Sequence, residues 1–126
     1  MFDSHPVNPS SDHEVNIECI TACYACAEAC KACADACLGE QEVAKMVECI
    51  RDNNDCADVC LTTARIMSRF TRTDKKLAGA QLRACIQACE SSGNSCAKHG
   101  GAMEHCRVCA EACSRCAKAC RALLAE

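Results

Sequence analysis

Apolar and small residues recur along this chain in alternating steps of three and four. The clearest stretch, "CITACYACAEACKACADAC", begins at Cys19 and ends at Cys37, and its cysteines follow one another at such steps throughout. In an α-helix this spacing places every member on one face, whereas a half-buried strand would need alternation at every second residue. The pattern predicts helices whose inward face is made of cysteine.

Four segments carry this helical pattern, separated by short polar or glycine-containing breaks. Ser11 and Glu14 have the spacing of a capping box and predict the first helix start, and Thr73 is the predicted N-cap of the third helix. The first predicted helix ends near residue 38, and the other three span about 42–70, 73–98 and 103–124. We therefore expect a flexible tail over residues 1–11 and one domain over 12–126, an all-α antiparallel four-helix bundle with a cysteine-lined core.

The fourth helix repeats the cysteine spacing of the first, and both contain "CAEAC". The middle helices carry fewer cysteines, and the missing steps of their pattern fall on Asn53 and Ser92. In this interpretation cysteine takes the core positions that leucine normally holds in a bundle. The candidate metal ligands are Cys19, Cys23, Cys26, Cys30, Cys33, Cys37, Cys49, Cys56, Cys60, Cys85, Cys89, Cys96, Cys106, Cys109, Cys113, Cys116 and Cys120.

Composition limits what else can fill the core. The chain has 126 residues and 17 cysteines, but Leu, Ile, Val and Phe together are just 19 residues. Its 14 basic and 17 acidic residues are interspersed, so we expect no nucleic-acid partner. We also expect no membrane association, because no apolar run approaches the ~20 residues of a span. The first residues lack the pattern of a secretory signal and begin with Met1, which favours a cytoplasmic protein with reduced thiols.

The cysteines favour metal binding over a disulfide framework. Their number is odd, and neighbours within one helix make poor disulfide partners. Soft thiolates select Cu(I), Zn(II) or iron–sulfur clusters. Zn(II) in tetrahedral sites would leave roughly nine negative charges in the core, whereas one Cu(I) per thiolate leaves it neutral. This argument favours many Cu(I) ions but leaves open a zinc or cadmium thiolate buffer, and a thiol redox buffer or sensor is the rival from another class.

The two ends of the predicted bundle differ. One end gathers soft or intermediate donors that could form a metal entrance, namely Met46, His99, Met103 and His105. Asn53 lies on a cysteine-bearing face nearby, and we interpret it as a hydrogen-bonding residue more readily than a ligand. The opposite end gathers most bulky apolar residues, which predict a hydrophobic plug of Ile17, Ile20, Ile66, Phe70, Leu77, Leu82, Leu123 and Leu124. Since no catalytic motif appears elsewhere, we expect no enzymatic activity.

Three stretches, "CYACAEACKACADACLGE", "CIRDNNDCADVC" and "HGGAMEHCRVCAEACSRCAKAC", resemble the copper storage proteins, specifically their cytosolic bacterial branch. The resemblance covers about residues 15–124. It implies a four-helix bundle that binds many Cu(I) ions through all seventeen cysteines and assembles as a homotetramer. It also implies that His99, His105 and Asn53 lie at or near the entrance. Ser92 departs from the cysteine pattern, which leaves the local coordination there open.

Overall fold

The computed structural model describes residues 4–7 and 13–126. Four α-helices account for most of this chain: α1 (His13–Leu38), α2 (Val47–Met67), α3 (Lys75–Ala97) and α4 (Glu104–Leu124). No strand occurs among the described residues, and none of the helices there is long and apolar enough to cross a membrane. The predicted all-α class is confirmed, while the predicted cap at Ser11 lies outside the described residues.

The helices form an antiparallel bundle in which each packs against two neighbours. Contacts between sulfur atoms fix the direction of the helices. Cys19, near the start of α1, approaches Cys120, near the end of α4, with 3.7 Å between the sulfurs. At the other end, Cys49 near the start of α2 approaches Cys96 near the end of α3, with 3.5 Å between the sulfurs. The predicted four-helix bundle is therefore confirmed.

Two helix boundaries differ from the predictions. A 3₁₀ turn (Val43–Met46) precedes α2, and this turn buries the Met46 side chain, which is 1% exposed. The prediction that Thr73 caps α3 was wrong by one residue. Asp74 is the N-cap, because its extended backbone lets Oδ1 accept the Leu77 backbone N–H at 3.1 Å.

The predicted hydrophobic plug is present but shallow. Ile20 and Leu82 are buried at this end. Leu77 is 50% exposed, so the prediction that it belongs to the plug was wrong. Leu77 lies in the first turn of α3, where its side chain borders an open groove of about 670 Å³ that is also lined by Phe70. Cys19 and Cys120 beneath the plug are fully buried, so the end is closed to solvent.

Candidate metal centre

The interior of the bundle is a continuous file of thiols. All seventeen cysteines are free and buried, and none is more than 2% exposed. The steps of three and four along each helix keep the sulfurs on the inward faces, where they meet sulfurs of neighbouring helices. Alanines such as Ala27, Ala57 and Ala64 fill the remaining space, and their small side chains let the helices approach closely. The cysteines of the candidate site therefore make up most of the core.

The thiol file has two regions along the bundle, which we call the mouth group and the deep group. The mouth group consists of Cys33, Cys37, Cys49, Cys96 and Cys106, and the other twelve cysteines form the deep group. Contacts of 3.5–4.0 Å with hydrogen-bond geometry link the twelve deep thiols into one network. In the mouth group such contacts join Cys33 to Cys106 and Cys49 to Cys96. Cys109 lies where the groups meet, since it also interacts with Cys33 and Cys96.

Both groups contain sets of four sulfurs that lie within 4.8 Å of one another. In the mouth group the set is Cys33, Cys37, Cys49 and Cys106. In the deep group successive sets share members. Cys60, Cys85 and Cys116 each belong to more than one set, and their sulfurs also contact one another. Shared sulfurs suit bridged metal clusters better than isolated tetrahedral cages, because a bridging thiolate binds two ions at once.

Asn53 and Ser92 connect the two groups. Both side chains are fully buried, and the Ser92 hydroxyl donates to Asn53 Oδ1 at 2.8 Å. Asn53 also contacts mouth thiols, since Nδ2 donates to Cys49 Sγ at 3.6 Å, while Ser92 Oγ lies 3.7 Å from Cys30 Sγ in the deep group. The two missing steps of the cysteine pattern therefore meet as a polar pair inside the core.

His105 is the imidazole that reaches the thiols. Its Nδ1 lies 3.4 Å from Cys33 Sγ and 3.6 Å from Cys106 Sγ. Its Nε2 is buried without a hydrogen-bond partner, and the nearest carboxylate oxygen, Glu40 Oε2, is 3.9 Å away. A nitrogen donor in contact with two thiols can hand a soft metal ion to them.

The other residues of the predicted entrance lie at the same end but differ in exposure. Met46 is almost fully buried, whereas His99 and Met103 are half-buried in the turn between α3 and α4. The carbonyl of His99 accepts the backbone N–H of Met103 at 2.9 Å, which ties these two residues into one turn. Asn53 lies deeper than the others, in the core itself.

Burial keeps two thiols of the mouth group, Cys37 and Cys106, protonated in the metal-free protein. It raises the pKa of Cys37 to about 11, and it also raises the pKa of Cys106. At the deep end the balance differs, because the hydrogen bond from Cys120 lowers the pKa of Cys19 to about 5. A metal ion that binds Cys37 or Cys106 must therefore displace a thiol proton.

Sequence reasoning missed the contact between Glu40 and His105 and the pairing of Ser92 with Asn53. Glu40 lies in the loop after α1, and its sequence neighbours give no sign that it faces a histidine of α4. Ser92 did give a signal, since it interrupts the cysteine pattern of α3. Its hydrogen-bond partner, Asn53, could be identified only from the packing of α3 against α2.

Fold and site together define a class of protein, a small helical bundle that encloses a file of thiols suited to soft metal ions. The family model of the copper storage proteins matches residues 12–125. The chain belongs to the copper storage protein family.

Solved structures show the same similarity. The copper storage protein Ccsp from Streptomyces lividans, loaded with 10 copper equivalents, is 49% identical with a TM-score of 0.94, and the match covers 98% of this chain and 94% of that one. A structure of copper loading to a cytosolic copper storage protein from the same organism, with five coppers, is 52% identical with a TM-score of 0.90, over 91% of this chain and 96% of that one. Among curated proteins, the uncharacterized cysteine-rich protein YhjQ of Bacillus subtilis (strain 168) is 36% identical over 107 residues, which are 85% of this chain and 94% of that protein.

Proposed function

We propose that this chain stores copper as many Cu(I) ions held by thiolates inside the bundle. The observation that carries the proposal is the file of seventeen buried, unpaired thiols, in which sulfurs of different helices approach within 3.5–4.0 Å. Membership of the copper storage family and the similarity to copper-loaded Ccsp support it. Residues 12–126 form the storage domain in this proposal, and residues 1–11 lie outside it.

The charge of the core favours Cu(I) over divalent ions. The core contains seventeen thiols and no cationic side chain among its buried residues. Each Cu(I) that replaces one thiol proton leaves the net charge of the core unchanged, whereas a tetrahedral Zn(II) site with four thiolates carries two negative charges. Uncompensated charge in a dry interior is very costly, so a filled core requires monovalent ions.

All seventeen cysteines serve as ligands in this proposal, and copper enters at the end that carries the histidines. His99 and Met103, which are half-buried, meet the ion first, and Met46 lies next to their path at the start of α2. His105 passes the ion to Cys33 and Cys106, which its Nδ1 already contacts. The ion then moves inward past Asn53 to the deep group.

The setting of the protein follows from its relatives. We infer a cytoplasmic location, in line with the cytosolic Streptomyces protein, and a homotetramer, as the family resemblance implies. Storage requires no catalysis, and we propose that the chain has no enzymatic activity. Acidic and basic residues are interspersed along the chain, and Arg107 pairs with Glu104 and Glu111, so we propose no nucleic-acid partner.

A titration tests the proposal. Reduced, metal-free protein is titrated with Cu(I) under anaerobic conditions in competition with a chromophoric Cu(I) chelator. We expect more than about ten Cu(I) per chain to bind before the chelator competes, in keeping with a site shared among seventeen thiols. Saturation near four ions would instead support a zinc or cadmium buffer, and easy loss of copper with disulfide formation would support a thiol redox protein.

A further inference from the structure

The amide oxygen of Asn53 accepts three hydrogen bonds in the metal-free protein. The Ser92 hydroxyl donates at 2.8 Å, Cys96 Sγ donates at 3.2 Å, and Cys109 Sγ donates at 3.4 Å. Asn53 is completely buried, so water does not replace any of these donors. On the other side of the amide, Nδ2 donates to Cys49 Sγ at 3.6 Å.

Metal loading removes hydrogen-bond donors from this arrangement. A thiol that binds Cu(I) loses its proton and becomes an acceptor only. Cys96 and Cys109 then have no proton to donate to Asn53 Oδ1, whereas the amide N–H keeps its acceptor in Cys49. The bond from Nδ2 to a thiolate is also stronger than the bond to a thiol, because its acceptor is charged.

Ser92 is the donor that metal loading does not remove. A serine hydroxyl keeps its proton at any physiological pH and is a poor ligand for a soft monovalent ion. A cysteine at position 92 would continue the pattern of α3, but it would lose its proton to copper like its neighbours. The loss of every donor would leave a buried carbonyl oxygen unsatisfied, which is costly in a dry core.

We propose that Ser92 is a positioning residue for copper binding. Its hydroxyl keeps donating a hydrogen bond to Asn53 Oδ1 while copper displaces the thiol protons around it. This bond keeps the amide N–H directed at Cys49. The pair holds a fixed hydrogen-bond donor between the mouth group and the deep group. This inference rests on the proposed storage of Cu(I). It assigns Ser92 no contact with the metal and concerns the thiolates of Cys49, Cys96 and Cys109.

The test compares Ser92→Ala with the wild-type protein in two states. Without metal, Asn53 Oδ1 keeps its two thiol donors, so the thermal midpoint should change little. With copper, the oxygen loses its last donor, and the ions bound around Cys49, Cys96 and Cys109 should be released to a Cu(I) chelator at about tenfold lower chelator concentration. Ser91→Ala is the matched control, because Ser91 lies outside the core and its hydroxyl contacts Gln87.

A double-mutant cycle separates positioning from simple packing. If Ser92 acts through Asn53, Ser92→Ala should have little further effect on copper retention in an Asn53→Ala background. Ser92→Thr, which restores the hydroxyl, should recover most of the lost retention. An unchanged chelator competition for Ser92→Ala would overturn the inference. So would an equal loss in the Asn53→Ala background, or a fall of the metal-free midpoint as large as that of the loaded protein.

The same titrations keep the two proposals apart. Wild-type protein that binds few Cu(I) ions would refute the storage function itself. Wild-type protein that binds many ions, together with a Ser92→Ala variant that matches it in every measurement, would refute the role of Ser92 alone.

Discussion

Replacing Ile20 by alanine should destabilise the metal-free protein far more than replacing a core cysteine. Ile20 is fully buried in the plug, in a chain with few bulky apolar residues. The substitution removes three carbon atoms, worth about 2.4 kcal/mol at ~0.8 kcal/mol per buried methylene. The remaining cavity adds to this, so we expect a loss of about 3 kcal/mol. Small domains have free energies of unfolding of about 5–15 kcal/mol, which makes this a large fraction of the total.

A cysteine of the deep group supplies the comparison. Cys89 is 1% exposed and contacts Cys56 and Cys60, but Cys89→Ala removes only one sulfur atom. Its cost in the metal-free protein should be about 1 kcal/mol. Its cost in copper capacity should be larger than that of Ile20→Ala, because Cys89 belongs to a set of four sulfurs and Ile20 to none.

Urea unfolding of reduced, metal-free protein, followed by circular dichroism, measures the two free energies. Titration with Cu(I) then measures capacity. Val47→Ala is the surface control, since Val47 is 64% exposed and should change the free energy of unfolding by less than about 0.5 kcal/mol. If Cys89→Ala proved as destabilising as Ile20→Ala, the thiol file itself would hold the metal-free fold together, and the reasoning about the plug would be wrong.

Three further predictions concern loading and pH. Copper should raise the thermal midpoint strongly, because thiols held together by the folded core bind the ions more tightly than those of an unfolded chain; an unchanged midpoint in calorimetry would contradict a metal-filled core. The double variant His99→Ala, His105→Ala should load copper more slowly in stopped-flow experiments but reach nearly the wild-type capacity, and a loss of many ions would refute their role at the entrance. Burial raises the pKa of Cys37 to about 11, above the roughly 9 of a free thiol, so its contribution to stability is complete below pH ~9 and is lost as the pH rises towards 11. The metal-free midpoint should therefore fall between these pH values, and a constant midpoint would contradict this assignment.

The helices could be predicted from sequence because the cysteine pattern has a single reading. Steps of three and four between Cys19 and Cys37 fit one helical face, and no proline interrupts any of the four segments. The helix boundaries were harder to predict from the sequence. The 3₁₀ turn before α2 depends on how Met46 packs into the core, and the cap of α3 depends on whether Thr73 or Asp74 adopts an extended backbone.

The burial of the cysteines could be predicted from the sequence, but the contacts that connect them to other residues could not. Every cysteine that the pattern placed inward is buried, since each lies on the face that the neighbouring helices cover. The hydrogen bond between Asn53 and Ser92 joins two helices, and its formation depends on their relative axial positions, which no local pattern specifies. The same holds for His105, whose contact with Cys33 depends on how α4 packs against α1.

The protonation of Cys37 and Cys106 bears on how the outer part of the core takes up ions. Cys37 and Cys106 are protonated in the metal-free protein, because burial raises the pKa of both, so this part of the core carries no net charge from them before copper arrives. A Cu(I) that replaces one of these protons leaves the charge of the core as it was. At these two thiols the uptake of copper adds no uncompensated charge to the core, in contrast to the uptake of a divalent ion. Shared sulfurs in the deep group let each new ion bind beside ions already present. A core built in this way can fill and empty by single ions while the bundle stays folded.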